Sequence, residues 1–80
     1  MINVTASNNL KRANDLFPAN TTLREALDAL GIDYTRGMLT MDSAPLQPGD
    51  LNKTFAEMGY DGTANKNRCF LASIVKADNA

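Results

Sequence analysis

The chain has 80 residues and a formal net charge of −1; 44% of its residues are hydrophobic and 21% are charged. This length predicts a single domain with a small core, and the near-neutral charge, with no block of Lys or Arg, argues against nucleic-acid binding. No apolar run reaches membrane-spanning length, no signal segment opens the chain, and the single cysteine, Cys69, excludes an internal disulfide, so we expect a cytoplasmic monomer that does not bind a membrane.

The first part of the chain predicts a β-hairpin. Residues 1–7 form an alternating segment with apolar side chains at positions 2, 4 and 6, which indicates a strand with one solvated face. A turn is expected at 7–9, because Asn tolerates left-handed backbone and hydrogen-bonds to its own chain. A second strand is expected over 11–17, although Asn14 and Asp15 are poor strand formers.

Residues 22–31 carry the signals of an amphipathic helix. Thr22 and Glu25 have the spacing of a capping box, in which each side chain accepts a hydrogen bond from the backbone N–H of the other residue. Apolar residues recur from Leu23 at i+3, i+4 and i+7, which places them on one face of the helix. Gly31 is expected to end the helix in the left-handed conformation.

The second half of the chain predicts three further strands and a short helix. Residues 38–42 indicate a third strand, Leu46 a very short fourth strand, and 68–76 the last strand. Thr54 and Glu57 repeat the capping-box spacing and predict a single helical turn. The order β-β-α-β-β-short helix-β predicts an α+β fold, with a mixed four- to five-stranded sheet packed on one α-helix.

These features follow one another in an order that resembles ubiquitin and the ubiquitin-like β-grasp family. The resemblance rests on the first alternating strand, the helix capped by Thr22, the strand-turn segment 39–46 and the capped turn at 54–58. It implies a ubiquitin-like β-grasp domain over residues 1–76, followed by a short polar tail at 77–80. It also implies that the open face of the sheet docks a protein partner.

The C-terminal tail departs from the pattern of this family. Ubiquitin and the bacterial sulfur carriers that share its fold act through a C-terminal Gly-Gly, because only glycine lets the backbone pass through the narrow channel of an adenylating enzyme. The tail here consists of Lys76, Ala77, Asp78, Asn79 and Ala80. We therefore expect a small bacterial-type ubiquitin-like protein that works through a surface and not through its terminus.

The sequence contains no constellation of residues that is typical of an active site. Histidine, the commonest general base and metal ligand, is missing. Cys69 lies at the start of an apolar strand, where a lone cysteine is typically a buried structural residue. Residues 61–67 carry oxygen side chains at alternating positions but lack the central glycine and closing glutamate of a calcium loop. We expect no enzymatic activity, no cofactor and no metal.

The last strand is apolar on both faces and supplies the candidate binding site. Only one of its two alternating sets can pack on the helix, so the other set faces either solvent or a covering neighbour. Ser73 favours exposure of the odd positions, which turns Phe70, Ala72 and Ile74 inward; the reversed orientation stays open. The predicted partner-binding residues are Met38, Thr40, Leu71, Ser73 and Val75, with Lys76 at the rim.

The sequence thus predicts a non-enzymatic domain that binds a protein partner through the open face of its sheet. One alternative is a carrier or modifier protein that is activated at its C-terminus, which the absent Gly-Gly disfavours. A second alternative is a small accessory subunit of a larger complex. Because one fold hosts many functions, the expected β-grasp does not choose among the three.

Overall fold

The computed structural model describes residues 1–8, 11–35 and 37–74. Over these residues the chain forms one α-helix and a mixed five-stranded sheet, which confirms the α+β prediction. In chain order the elements are β1 (Ile2–Ser7), β2 (Arg12–Phe17), α1 (Leu23–Leu30), β3 (Met38–Met41), β4 (Ala44–Pro45), a 3-10 helix (Pro48–Asn52) and β5 (Arg68–Ile74). The tail expected at 77–80 lies outside the described residues.

The sheet has the strand order β2-β1-β5-β3-β4, which puts β5 at its centre. The neighbours β1 and β5 run parallel, and the other three neighbouring pairs are antiparallel. The chain enters α1 after β2 and leaves it before β3, so the helix crosses one face of the sheet. Because the first and last strands pair directly, residues far apart in the sequence build the centre of the sheet.

Strand β2 forms despite its poor strand formers because its side chains bond to neighbouring backbone and side-chain atoms. The amide of Asn14 donates to Thr5 Oγ1 at 2.9 Å and also bonds to Asn3 Oδ1 on β1. On the same strand, Asp15 Oδ1 accepts the backbone N–H of Leu16 at 2.7 Å. The bonds of Asn14 to β1 hold β2 at the edge of the sheet, where it has a strand neighbour on one side only.

Helix α1 begins and ends as its sequence predicts. Thr22 Oγ1 accepts the N–H of Glu25 at 3.2 Å, and Glu25 Oε1 accepts the N–H of Thr22 at 3.1 Å. At the other end, Gly31 adopts φ 72° and the N–H of Ile32 donates to the carbonyl oxygen of Leu27 at 3.0 Å. This pattern is a Schellman motif. The residues of the apolar stripe, Leu23, Ala26, Leu27 and Leu30, are buried, so the stripe faces the sheet.

The core lies between α1 and the face of the sheet that α1 covers. Phe55 lies in it as its largest fully buried side chain, and its N–H donates to the carbonyl oxygen of Thr21 at 3.1 Å. The buried apolar residues are Ile2, Val4, Ala6, Leu23, Ala26, Leu27, Leu30, Ile32, Leu39, Met41, Phe55, Cys69 and Leu71. Cys69 is therefore a buried core residue, as expected for a lone strand cysteine.

The segment between β4 and β5 differs from its prediction. Both hydrogen bonds of the capping box between Thr54 and Glu57 form, at 3.0 and 3.1 Å, but the residues after Thr54 make hydrogen-bonded turns and no helix. The 3-10 helix instead occupies Pro48–Asn52, and Asp50 Oδ2 accepts the N–H of Gln47 at its start. The fourth strand is Ala44–Pro45 and does not include Leu46.

Candidate partner-binding face

The face of the sheet that lies opposite α1 is open to solvent. Residues paired across neighbouring strands share a face, so the strand register assigns odd positions of β1 and even positions of β2, β3 and β5 to this side. All of these residues are exposed or half-buried. We call this surface the open face; it comprises Asn3, Thr5, Ser7, Arg12, Asn14, Leu16, Met38, Thr40, Pro45, Arg68, Phe70, Ala72 and Ile74.

The predicted orientation of β5 is wrong. Leu71 is fully buried and Ser73 is 2% exposed, whereas Phe70 and Ile74 face solvent. Ser73 can be buried because its Oγ donates to the carbonyl oxygen of Asp33 at 2.9 Å, which removes the penalty for an unpaired hydroxyl. Leu71 and Ser73 are therefore core residues and cannot belong to an exposed strip.

The other four predicted binding residues fall into two groups. The structure puts Met38 and Thr40 on the open face, where they lie opposite Ile74 and Ala72 of β5. Met38 is exposed and Thr40 is half-buried. Val75 and Lys76, which were expected to extend the site, lie outside the described residues.

Three large apolar side chains cluster at one end of the open face. Met38 is 54% exposed, Ile74 is 50% exposed and Phe70 is 37% exposed. Met38 lies directly opposite Ile74, and Ala72 connects Ile74 to Phe70 along β5. We call Met38, Phe70, Ala72 and Ile74 the apolar strip. Contiguous exposed apolar side chains of this kind usually mark an interface.

Two arginines flank Phe70 on the open face. The guanidinium carbon of Arg12 lies 5.8 Å from the centroid of the Phe70 ring, which is the distance of a cation–π contact. Arg68 lies two residues before Phe70 on β5 and therefore on the same face. Both side chains are exposed, and neither forms a salt bridge within the described residues. The aromatic part of the strip is thus bordered by positive charge.

Asp42 holds the backbone of Phe70 in place at the rim of the open face. Its Oδ1 accepts the N–H of Phe70 at 3.0 Å, its Oδ2 accepts the hydroxyl of Tyr60, and its own N–H donates to the Phe70 carbonyl oxygen at 2.8 Å. Asp42 and Ser43 have φ of 50° and 72°, the left-handed values of a tight hairpin turn between β3 and β4. Both carboxylate oxygens therefore have internal partners.

The thiol and the phenol beside Asp42 are held in their neutral forms. Burial, and then the charge of Asp42, raises the pKa of the Cys69 thiol to about 12. Burial, and then the hydrogen bond to Asp42, also raises the pKa of Tyr60 above its ordinary value. Since the thiolate is the reactive form of cysteine, Cys69 is a poor nucleophile at neutral pH.

An open groove with a volume of about 670 Å³ lies next to the apolar strip. It runs between the loop that follows α1 and the 3-10 helix, and Met38 belongs to both the groove and the strip. Its lining is Tyr34, Thr35, Gly37, Met38, Leu39, Leu46, Gln47, Pro48 and Leu51. The sequence did not predict this groove, because its two walls come from segments that lie apart in the sequence.

The polar loop at 61–67 closes on itself. Asp61 Oδ1 accepts both the N–H of Thr63 at 3.1 Å and its hydroxyl at 2.8 Å. Within residues 1–8, 11–35 and 37–74, no three His, Cys, Asp or Glu side chains are grouped so that they could hold a metal ion.

None of the helices in this part of the chain is long and apolar enough to span a membrane.

Sequence reasoning missed Arg12, Phe70 and Ile74 as surface residues. A usable signal was present in β5, because Arg68 lies an even number of residues from Phe70, Ala72 and Ile74 and therefore on the same face of the strand. A charged side chain is seldom buried without a partner, so Arg68 favoured exposure of the even positions more strongly than Ser73 favoured the odd ones. No comparable signal existed for Arg12, whose place over Phe70 depends on how β1 and β5 pair.

No protein-family model, curated protein or solved structure matches this chain.

Proposed function

We propose that this protein is a non-enzymatic interaction domain of ubiquitin-like β-grasp fold, which binds a protein partner through the open face of its sheet. The observation that carries the proposal is the apolar strip, in which exposed Met38 lies opposite exposed Ile74, and exposed Phe70 follows beyond Ala72 on the same face of β5. A chain of 80 residues has few large apolar side chains for its core. Leaving three of them together in water is unfavourable unless a partner covers them.

The β-grasp assignment is supported by the arrangement of the strands around the helix. The first strand pairs with a hairpin partner on one side and runs parallel to the last strand on the other. A single helix covers one face of this sheet and leaves the opposite face open. The ubiquitin-like family, which the sequence resembles, docks its partners on this open face.

The absence of enzymatic activity is supported by the state of the reactive groups near the open face. The Cys69 thiol is buried and its pKa is raised, and both oxygens of Asp42 accept internal hydrogen bonds. We also propose a cytoplasmic location, since a free thiol persists in a reducing compartment.

A double variant tests the proposal by removing the apolar area without adding charge. Met38→Thr combined with Ile74→Thr replaces two exposed side chains with a residue that suits a strand. The matched control is Leu16→Thr, because Leu16 is 53% exposed on the same face but lies on β2, away from the strip. Circular dichroism of all three proteins should give the same spectrum.

The readout is affinity capture from native lysate, followed by binding of the purified captured protein to each variant. We expect wild type and Leu16→Thr to bind the same protein, and the double variant to bind at least about tenfold more weakly. Equal binding by the double variant would show that the strip is not the interface.

A further inference from the structure

The open face carries positive charge although the chain as a whole is slightly negative. Its cationic side chains among the described residues are Arg12 and Arg68, both exposed and both next to Phe70. One carboxylate, Asp42, lies beside Arg68 and Phe70 at the rim, where the Tyr60 hydroxyl and the Phe70 N–H bond to its oxygens. It forms no salt bridge with either arginine within the described residues. The remaining described carboxylates lie on α1, in the 3-10 helix, in loops and turns, or, for Asp15, on the side of β2 that pairs with buried Val4.

The position of Arg12 decides which ligand chemistry suits this surface. With its guanidinium over the ring of Phe70, Arg12 covers the ring face on which a nucleobase would have to stack. A stacked guanidinium still presents N–H groups at its edge, and these match the two oxygens of a carboxylate. Two arginines are also too few to hold a nucleic-acid backbone at moderate salt.

The apolar strip and the arginines are continuous. Arg68 and Phe70 are two residues apart on β5, about 7 Å along the strand, and the strip continues from Phe70 to Ile74 and across to Met38. A segment that covers the strip therefore passes beside both guanidinium groups. If that segment were basic, it would bring like charges together and lose affinity.

We propose that the protein segment that binds the apolar strip is acidic, and that its carboxylates pair with Arg12 and Arg68 while its apolar side chains cover Phe70 and Ile74. This inference rests on the proposed function and names the chemistry of the partner at the same surface. In this proposal, Arg12 and Arg68 select the partner by its charge. The apolar strip supplies the apolar area that is buried on binding.

Selection from an unbiased peptide library tests the inference. Phage-displayed random peptides of twelve residues are selected on the immobilised full chain, and the enriched peptides are then synthesised with a fluorescent label. We expect these peptides to combine Asp or Glu with large apolar residues. Their affinity should fall as NaCl is raised, because exposed ion pairs are screened by salt.

Arginine variants measure the contribution of each charge. Arg12→Gln and Arg68→Gln should each weaken peptide binding by a few fold, and the double variant by about tenfold. Arg24→Gln is the matched control, because Arg24 is exposed on α1, on the other side of the sheet. This variant should bind the peptides as wild type does.

Several results would overturn the inference. Enrichment of neutral or basic peptides, or of no peptide at all, would remove it, as would unchanged affinity in the Arg12→Gln/Arg68→Gln protein. A labelled single-stranded oligonucleotide of twelve thymidines that bound more tightly than the acidic peptides would point to nucleic acid instead. If the Met38→Thr/Ile74→Thr protein lost peptide binding while the arginine variants kept it, the proposed function would stand and the acidic partner would not.

Discussion

The buried hydroxyl of Ser73 donates a hydrogen bond of 2.9 Å to the backbone carbonyl oxygen of Asp33, which lies 40 residues earlier in the chain. This bond ties the central strand β5 to the loop that follows α1. It also sets which residues of β5 face outward, because a serine in the core is stable only when its hydroxyl is paired. With Ser73 inside, Phe70 and Ile74 lie on the open face.

Loss of this hydrogen bond should destabilise the protein. Ser73→Ala removes the hydroxyl that makes this bond from a buried position of β5, and we expect the free energy of unfolding to fall by about 1 kcal/mol. Urea denaturation followed by circular dichroism measures the change. Ser7→Ala, on the half-buried open side of β1, should change the free energy of unfolding by less than about 0.5 kcal/mol. Similar losses in the two variants would contradict the role assigned to Ser73.

Truncation of one inward and one outward side chain of β5 should distinguish core from surface. Leu71 is fully buried, so Leu71→Ala creates a cavity and should lower the free energy of unfolding by about 2–5 kcal/mol. Ile74 is half exposed, and Ile74→Ala should lower it by no more than about 1 kcal/mol. Chemical denaturation of both variants gives the comparison. An equal loss of unfolding free energy in the two variants would contradict the assignment of Leu71 to the core and of Ile74 to the surface.

The capping box of α1 should make stability depend on pH in the acidic range. Hydrogen bonds from the backbone and hydroxyl of Thr22 hold the pKa of Glu25 below its ordinary value of 4.5. Because the pKa is lower in the folded chain, the contribution of Glu25 is fully present above that value and is lost as pH falls through the folded pKa. Asp50 and Asp61 have lowered pKa values for similar reasons, so their contributions are lost in the same direction.

A variant that cannot titrate isolates Glu25. Glu25→Gln keeps a side chain that can accept the cap hydrogen bond, and we expect its stability to fall less steeply than that of wild type below pH 4.5. Thermal unfolding across the acidic range measures both profiles. Parallel profiles for the two proteins would show that Glu25 does not contribute to acid denaturation.

A side chain at Gly31, at the end of α1, should lower the stability of the protein. Gly31 has φ 72°, and a Cβ at this position would lie 2.6 Å from Lys11 Nζ. The lysine side chain can move away, but the left-handed backbone remains strained for alanine, so Gly31→Ala should cost about 1 kcal/mol. Gly49→Ala is the control, because a Cβ there would meet nothing within 4 Å. If Gly49→Ala were the more destabilising change in a urea titration, this account of the helix end would be wrong.

Local sequence patterns predicted the elements whose bonds lie within a few residues of one another. The capping box of Thr22 and Glu25 and the left-handed Gly31 define α1 from its own sequence, because the hydrogen bonds of the capping box and of the Schellman motif join residues at most five positions apart. The alternation of β1 was read correctly for a similar reason, since only one of its faces is apolar.

The tertiary structure decided what local patterns left open. Both alternating sets of β5 are apolar, so its orientation depends on the distant carbonyl of Asp33 that accepts from Ser73. Strand β2 depends on the bonds of Asn14 to β1, and the place of Arg12 over Phe70 depends on the parallel pairing of β1 with β5. The sequence by itself thus determined the fold class, the helix and an apolar surplus in β5. Arg68 gives a local indication that Phe70 and Ile74 face outward. Only the packing of distant segments brought Arg12 over Phe70 and Met38 opposite Ile74, because no local spacing encodes which strands pair.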